Sequence, residues 1–419
     1  MIGNCLIFAA GLLVYASYGI GGLFWLLGAT AVSYGAALLI PRRKWVLWPA
    51  VAAVTAALLV MRLQGLLELT LPSVLGASYF SLQIIAYLAD VYRGKYPPEK
   101  NFFRYAFHIT YLPHLFVGPI EPFSTMSAAM DSRRITLSGV YSGVTRILWG
   151  LGKKLIIAAR AGVIISAISA DTAAYRGAYA LAAMVLYSLQ LYADFSGGMD
   201  VVLGVSQVLG LKLSENFNVP FLAETFQEFW RRWHITLGGF LRSYVYIPLG
   251  GNRKGKLRKT LNLLVTFLVS GIWHGLEYLL WGLINGIFVA FGDQFKTKWK
   301  HLNRFLTFFL VSLLWAFFVW PNTATALSMV ASIVTTFNYG SFFASVLELG
   351  LTAGDWIVLI LSAAMLWIYD VRGNAVPAAL GKRSWAVRTA VICLLALVVL
   401  VFGMYGIGFD QQAFIYSKF

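Results

Sequence analysis

Residues 227–255 read QEFWRRWHITLGGFLRSYVYIPLGGNRKG, and residues 270–275 read SGIWHG. In these two stretches, the first and second histidine runs, an otherwise apolar chain places His234 and His274 among tryptophans and glycines. The first run also holds the densest positive charge of the sequence. Because ionisable side chains within a membrane are costly and mark functional sites, we expect the rest of the chain to be a scaffold for these two histidines.

The composition indicates an integral membrane protein. The chain has 419 residues, of which 59% are hydrophobic and 12% are charged, and its mean hydropathy is +0.73. A soluble domain has about 25% charged residues. One spanning helix needs about 20 apolar residues, so we predict an all-α polytopic membrane protein with about ten to twelve transmembrane helices plus re-entrant segments around a central tunnel or funnel. Residues 1–419 are interpreted as one membrane domain.

The formal net charge of +16 does not indicate nucleic-acid binding. The basic residues fall in short clusters between apolar runs, which is the pattern of cytoplasmic loops and of attraction to anionic lipid. Membrane lipid is therefore an expected partner and nucleic acid is not. The apolar run from Ile2 to Ile40 is too long for the core of a signal peptide, so we expect mature membrane helices there.

Neither the cysteines nor the remaining histidines indicate a metal site. Cys5 and Cys393 lie in separate apolar runs without metal-binding neighbours. His108 and His114 are six positions apart, whereas side chains on one helical face are three or four apart. No metal site or disulfide is therefore expected.

Two stretches are expected to be broken rather than continuous helices. Phe102–Phe123 carries Pro113 and Pro119 in an apolar setting. Helix-breaking prolines at membrane depth are tolerated only where protein or a water-filled cavity covers the freed backbone, so a re-entrant segment is predicted there. The first histidine run must also fold back into the membrane if the two histidines are to meet, because a basic loop and a span separate them.

His274 is the candidate general base. A neutral imidazole in a dry cavity can take a proton from a hydroxyl, and such help is worth roughly 10² to 10⁴ in rate. If the helix continues, Glu277 shares its face, while Gly271 and Gly275 let a substrate or another backbone approach. The alternative is a buried histidine that bonds a backbone carbonyl.

His234 is the second candidate catalytic residue, and it follows an aromatic and basic segment. The alternative is a juxtamembrane belt of aromatic and basic side chains, which explains the tryptophans and arginines better than the histidine. The tryptophans expected to shape the substrate tunnel are Trp230, Trp233 and Trp273.

A basic surface lies beside the proposed site. The residues expected to bind the acyl donor are Arg231, Arg232, Asn252, Arg253 and Lys254. The turn sequence 248–252 offers backbone amides, which together with basic side chains suit phosphate groups. This surface fits a cytosolic donor with phosphates, such as coenzyme A or phosphopantetheine. The alternative is an ordinary basic cytoplasmic loop.

Two carboxylates, Asp194 and Asp200, lie within a long apolar run. Intramembrane carboxylates usually face a cavity or a cation. We expect both to have a structural role, either as caps or as partners of an arginine of the first histidine run, with Glu277 as a further cavity residue. The alternative is a transporter for a lipid-linked sugar, for which broken helices and buried carboxylates are typical.

The two histidine runs together resemble a known family. EFWRRWHITLGGFLRSYVYIPLGGNRKG followed by WHG is similar to the membrane-bound O-acyltransferases. The most similar branch contains the alginate O-acetyltransferase membrane subunit and the teichoic-acid D-alanyl transfer protein. Further similar runs lie at residues 78–94, 112–122, 193–221 and 414–419, and the resemblance covers most of the chain from about residue 71 to residue 320.

The resemblance implies helices around a tunnel, a catalytic histidine at His274 and a second site residue at His234. It implies a bacterial inner membrane location, an acyl donor from the cytoplasm and an extracytoplasmic glycan acceptor. PLGGNRKG is more similar to the polysaccharide O-acetyl branch, which favours acetyl-CoA as the donor and no bound cofactor. A periplasmic or membrane-anchored partner acetyltransferase is expected to complete the transfer. D-alanyl transfer to teichoic acid from a carrier protein stays open, as does a non-catalytic scaffold.

Overall fold

The computed structural model describes residues 2–64, 67–72, 74–372 and 383–405. All regular secondary structure in those ranges is helical, which confirms the predicted all-α class. The closing run 414–419, which is part of the resemblance, lies outside the described residues.

Four helices open the chain. They are α1 (Ile2–Tyr18), α2 (Ile20–Leu39), α3 (Leu47–Arg62) and α4 (Ala77–Tyr92). α4 packs against α2 and α3, and most of its residues are buried. It begins after Gly76, whose φ is +70°. A Cβ there would lie 2.5 Å from the carbonyl oxygen of Leu115, so both the backbone conformation and the space require glycine.

The proline-containing stretch is broken, as the sequence predicts. It forms α5 (Phe102–Thr110), α6 (Leu112–Val117) and α7 (Phe123–Asp131). Asn101 caps α5, because its Oδ1 accepts from the N–H of Phe103 at 2.9 Å. Pro113 lies in the first turn of α6, where a helix does not need a donor N–H.

The longest helix, α10 (Ala178–Val208), lies at the centre of the packing of several other helices. α8 (Leu137–Gly152) continues through a π-helical turn (Lys153–Ala158) into α9 (Ala159–Ala170), and all three pack on the 31-residue α10. At 1.5 Å per residue α10 is about 46 Å long, which is enough to cross a bilayer. Glycines let α8 and α10 approach, since a Cβ on Gly150 would lie 2.4 Å from the carbonyl oxygen of Gly197.

Short helices carry the first histidine run, and a helical hairpin carries the second. α11 (Phe226–Arg232) and α12 (Ile235–Leu241) are followed by a π-helical turn (Arg242–Tyr246), so the first run is broken as expected. α13 (Gly255–His274) packs on α14 (Leu279–Phe291). A Cβ on Gly282 of α14 would lie 2.5 Å from the carbonyl oxygen of Phe267, so the two helices are in close contact.

Six helices follow in the C-terminal part that the structure describes. They are α15 (Lys300–Leu314), α16 (Ala316–Val319), α17 (Thr323–Thr335), α18 (Tyr339–Ser345), α19 (Ala353–Arg372) and α20 (Trp385–Phe402). α17 and the segment that contains α18 form a pair bent by 107°. α17 packs on α10, and α20 packs along α8.

Among the described residues, five helical segments are long and apolar enough to cross a membrane, and the bent pair makes a sixth if it is one span. The five are Ile20–Leu39, Lys44–Arg62, Lys300–Val319, Ala353–Arg372 and Trp385–Phe402. α10 is not among them, because polar residues such as Gln190 and Asp194 lower its hydropathy. The chain is therefore polytopic. The count of ten to twelve helices, the central tunnel and the single domain stay predictions.

Candidate active site

A break between two short helices holds His234. α11 is capped by Thr225, whose Oγ1 accepts from the N–H of Glu228 at 3.2 Å. α11 ends at Arg232, and α12 begins at Ile235. Between them His234 has φ +46° and ψ +54°, the left-handed conformation. For a residue with a side chain this conformation costs about 1 kcal/mol or more, and such strain is concentrated at functional sites.

Asn216 fixes the imidazole of His234. The Oδ1 of Asn216 accepts from the N–H and the hydroxyl of Thr236 at 2.9 and 3.0 Å. The amide nitrogen of Asn216 lies 3.2 Å from Nδ1 of His234, and its Oδ1 lies 3.4 Å from the same atom. Because Oδ1 already accepts two hydrogen bonds, we assign the shorter contact as a bond that the amide nitrogen donates to Nδ1. Nδ1 is then an acceptor, which assigns the proton of the neutral ring to Nε2. His234 is 3% exposed, and within the described residues its Nε2 has no hydrogen-bond partner.

His274 is the last residue of α13. Gly275, with φ +152°, ends the helix directly after it. A Cβ on Gly271 would lie 2.7 Å from the carbonyl oxygen of Tyr278, so a neighbouring backbone does approach the small residues here. The expectation that Glu277 shares a helical face with His274 is wrong, because Glu277 lies on a separate 3₁₀ turn beyond the helix end.

Trp273 brings the two histidines together. Its ring centroid lies 4.7 Å from that of His274 and 6.3 Å from that of His234. The histidines are 40 positions apart in the sequence, so the first run folds back onto the hairpin, as their meeting requires. His234 is buried and His274 is half-buried.

Trp230 and Trp233 lie in the aromatic cluster next to the histidines. The ring of Trp233 stacks on that of Phe229, with centroids 5.5 Å apart. The Nε1–H of Trp230 donates to Oδ1 of Asn285 at 3.2 Å, and its ring lies 5.7 Å from that of Trp281. Since Trp281 lies 5.5 Å from His274, this cluster reaches the second histidine as well.

One cleft near α11 mixes cations with carboxylates. It has a volume of about 520 Å³ and is lined by Glu224, Thr225, Glu228, Arg231 and Lys296. Arg232 pairs with Glu228 at 2.5 Å. Lys296 pairs with Glu224 at 3.0 Å, and this ammonium lowers the pKa of the Glu224 carboxyl. Because two carboxylates repel an anion, this cleft is a poor phosphate site.

A second cleft, the turn cleft, has cations and no carboxylate among its lining residues. Its volume is about 260 Å³, and it is lined by Arg242, Tyr246, Ile247, Gly250, Gly251, Asn252, Arg253 and Lys259. Gly251 has φ +57°, and its carbonyl oxygen accepts from Nδ2 of Asn262 at 2.8 Å. Asn252 and Arg253 of the predicted donor-binding set therefore both line the turn cleft, and Lys254 is the next residue in the sequence.

Asp194 and Asp200 pair with cations other than those predicted. Asp194 pairs with Lys154, while Asp200 pairs with Lys153 at 2.5 Å and with Arg146 at 2.9 Å. The predicted partner, an arginine of the first histidine run, is therefore wrong. The reason is packing, because α8 and its π-helical turn lie along α10 and bring these cations onto the carboxylates.

Three aromatic and amide side chains of the site were missed by the sequence analysis. Asn216 comes from a polar turn, Trp281 from α14 and Trp315 from the end of α15. Trp315 lies 6.3 Å from Trp281 and 5.6 Å from Trp233. The chain has 14 tryptophans, and no local pattern separates these two from the others.

Arg62 approaches the site from the N-terminal helices and was also missed. It ends α3 and donates from a guanidinium nitrogen to Oγ of Ser78 at 2.8 Å. It also interacts electrostatically with Glu277 and His274. The sequence does show an arginine at the end of a long apolar run, and this pattern could have marked Arg62 as a candidate site residue.

No group of three or more His, Cys, Asp or Glu side chains is arranged around a metal position in the part of the chain that the structure describes. Cys5 and Cys393 are free and exposed. The buried His114 has Gln83 as its hydrogen-bond partner, with 3.1 Å between its Nδ1 and the amide nitrogen.

Comparison with known proteins supplies the family. The model of MBOAT, the membrane-bound O-acyltransferase family, matches residues 30–336. A probable alginate O-acetylase of Pseudomonas putida is 33% identical over 72% of this chain and 64% of its own length. A peptidoglycan O-acetyltransferase of Helicobacter pylori is 33% identical over 64% of this chain and 58% of its own length. A teichoic acid D-alanyltransferase of Streptococcus thermophilus is 26% identical over 62% of this chain and 67% of its own length.

The chain spans less than two thirds of the length of the first two of these relatives. The family match nevertheless covers both histidine runs and both clefts, and it extends over more than half of the chain. The apolar helices, the family match and the bacterial relatives together agree with a multi-pass protein of the bacterial inner membrane, as expected. The chain belongs to the membrane-bound O-acyltransferase family.

Proposed function

We propose that this chain transfers an acetyl group from cytoplasmic acetyl-CoA toward hydroxyls of an extracytoplasmic polysaccharide, directly or through a partner acetyltransferase. The observation that carries the proposal is the meeting of His234 and His274 at Trp273. A single buried histidine fits a structural role, whereas two histidines from distant runs that meet at one indole fit a reaction site.

The two histidines have different roles in this proposal. His234 presents an Nε2–H donor, because Asn216 occupies its Nδ1. It therefore binds an oxygen of a substrate rather than taking a proton. His274 is half-buried and acts as the general base that takes the proton of the incoming hydroxyl. After the thioester is cleaved, the imidazolium returns that proton to the leaving thiolate.

The turn cleft holds the phosphates of the donor in this proposal. Arg242, Arg253 and Lys259 line it without a carboxylate. Arginine suits phosphate because its planar guanidinium can donate two parallel hydrogen bonds. Arg231 and Arg232 have a smaller part in donor binding, since Arg232 is already paired with a carboxylate and Arg231 lines a cleft that holds two.

The test is acetylation of surface glycans in cells that produce a His274→Ala variant. We expect O-acetyl transfer to fall by about 10² or more, because a general base contributes roughly 10² to 10⁴. The control is His301→Ala, which makes the same change at an exposed position at the start of α15. Full acetylation by a folded His274→Ala protein at normal level would disprove the assignment.

D-alanyl transfer is the second candidate, and the similarity to a teichoic acid D-alanyltransferase is the observation that favours it. Mass spectrometry of surface glycans with and without the gene separates the two, because an acetyl and an alanyl ester add different masses. A sugar carrier is less well supported, since Asp194 and Asp200 are paired with cations within the fold rather than facing a substrate path.

A further inference from the structure

Three buried tryptophans surround the histidine pair. Trp273, Trp281 and Trp315 are 8%, 1% and 3% exposed. Trp273 contacts both histidines, as described above. The ring of Trp281 lies 5.5 Å from that of His274, and the ring of Trp315 lies 6.3 Å from that of Trp281. Trp273 and Trp281 therefore both contact His274, and Trp315 contacts Trp281. We call these three tryptophans the indole group.

The indole group differs from the neighbouring Trp230 in its hydrogen bonding. The Nε1–H of Trp230 donates to Asn285 at 3.2 Å. The Nε1 atoms of the three tryptophans in the indole group are buried and have no hydrogen-bond partner in the described part of the chain. Buried donors without acceptors destabilise a folded protein and therefore need an explanation.

The chemistry of indole restricts what these donors can bind. An indole nitrogen carries one hydrogen and no available lone pair, so it only donates. Its ligand must be an acceptor atom such as an oxygen. Neutral donors in a dry site suit an oxygen that has little charge in the substrate and gains charge during the reaction, because the interaction then strengthens in the transition state.

We propose that the Nε1–H of Trp281, with Trp273 and Trp315 beside it, binds the carbonyl oxygen of the acyl thioester and stabilises the oxyanion formed from it. This inference rests on the proposed function. Trp281 is the principal donor because it combines contact with His274 and almost complete burial. The Nε2–H of His234 is a second donor to the same oxygen.

The acyl transfer uses a thioester as the donor. The acceptor oxygen bonds to the carbonyl carbon while His274 takes its proton, and the π pair of the carbonyl moves onto the oxygen held by Trp281. Collapse restores the carbonyl and breaks the carbon–sulfur bond. The proton on His274 then passes to the thiolate, so neither an oxidant nor a further reactant is needed.

If the N–H groups of the indole group have only a structural role, the expected result of removing one is different. Trp281 and Trp315 are stacked at 24°, whereas Trp281 and Phe318 meet edge to face at 5.2 Å and 81°. In an edge-to-face contact an N–H can point at an aromatic face. In that case the loss of the N–H would weaken the fold and leave the turnover of the folded protein unchanged.

The test is Trp281→Phe in the full chain, reconstituted in proteoliposomes with radiolabelled acetyl-CoA and surface polysaccharide purified from a strain that lacks the gene. Phenylalanine keeps an aromatic ring and removes the N–H. The expected result is a fall in kcat on the order of 10², with the KM for acetyl-CoA within about threefold of the original, because the interaction develops in the transition state.

The matched control is Trp356→Phe on α19. Trp356 also has a buried Nε1 without a partner among the described residues, and it makes no ring contact with either histidine there. It should retain turnover within about threefold, since its N–H is away from the reacting atoms. A Trp281→Phe protein that loses only thermal stability, or loses turnover no more than the control does, would overturn the inference.

The proposed function is tested separately by measuring the turnover of the His274→Ala protein in the same assay. Transfer that depends on His274 and not on Trp281 rejects the indole donor alone. Transfer that depends on neither rejects both the proposed function of the site and the indole donor.

Discussion

The indole of Trp273 contacts the imidazoles of both His234 and His274, with its ring centroid 6.3 Å from the first and 4.7 Å from the second. In the proposed reaction the two histidines have separate roles, with His234 as a hydrogen-bond donor and His274 as the general base. Each then needs its own protonation state, and Asn216 sets that of His234. This division of roles can be tested at residues that do not touch the substrate.

Asn216→Asp should reverse the tautomer of His234. A carboxylate accepts only, so Nδ1 would carry the proton and Nε2 would become an acceptor. We expect kcat to fall about 10- to 100-fold, the usual effect of losing a residue that orients a functional histidine. The measurement is acetyl transfer in proteoliposomes. Asn218→Asp, at an exposed position two residues later, is the control. Equal activity of the two variants would contradict the assigned tautomer.

Arg253→Ala and Lys259→Ala should each raise the KM for acetyl-CoA several-fold and leave kcat within about twofold, because they hold phosphates away from the reacting carbon. The difference from the unmodified protein should shrink as salt rises, since ions screen exposed charges. Lys298→Ala, an exposed lysine outside the turn cleft, is the control.

A short acetyl thioester without phosphates provides a second check on the turn cleft. Both variants should use it as well as the unmodified protein does. A KM for acetyl-CoA that does not change in either variant would reject the turn cleft as the donor site.

Gly197→Ala should destabilise the packing of α8 on α10. A Cβ there would lie 2.7 Å from the carbonyl oxygen of Gly150 and 2.9 Å from a side-chain carbon of Lys154. Overpacking of this kind costs about 1 to 3 kcal/mol, so we expect Tm in detergent to fall by roughly 2 to 10 °C. Gly28→Ala in α2 has no atom within 4 Å of its new methyl and should keep Tm or raise it slightly. Equal Tm values would argue against the close helix contact.

Lys154→Met should be strongly destabilising, at a cost of roughly 3 to 5 kcal/mol, because it removes the cation paired with the buried carboxylate of Asp194. Asp194→Asn should cost less, because Lys154 is only half-buried. The double variant should recover much of that stability, since the unpaired charge is removed with its partner. Thermal unfolding of these three proteins and of the unmodified protein gives the coupling free energy of the pair. Lys212→Met, at an exposed lysine, is the control. A double variant no more stable than the single ones would show that the pair is not isolated.

Composition predicts the fold class, and the motifs single out His234 and His274 as candidate site residues, because both signals can be found within short stretches of the sequence. A low charged fraction leaves no soluble alternative, and prolines within an apolar run indicate that a helix ends or begins there. The partners of Asp194 and Asp200 could not be predicted in this way. They depend on α8 lying along α10, which glycines separated by about 50 positions make possible, and no single run records that contact.

The members of the indole group could also be predicted only in part from the sequence. Trp273 stands beside a histidine in the sequence and could be singled out, whereas Trp281 and Trp315 reach the site only through the hairpin and α15. Asn216 is likewise remote in sequence from the second histidine run. A sequence therefore indicates the reacting group more readily than the groups that orient it or surround it.

The left-handed backbone of His234 affects how substitutions at this position must be interpreted. Histidine and asparagine adopt this conformation more often than alanine does, so alanine there would remove the imidazole and would also lower the preference of the chain for the conformation. A loss of activity would then combine two causes. Asparagine tolerates this conformation far better. The difference between alanine and asparagine at position 234 separates the backbone contribution from that of the ring, and an alanine scan alone would overstate the chemical importance of the ring.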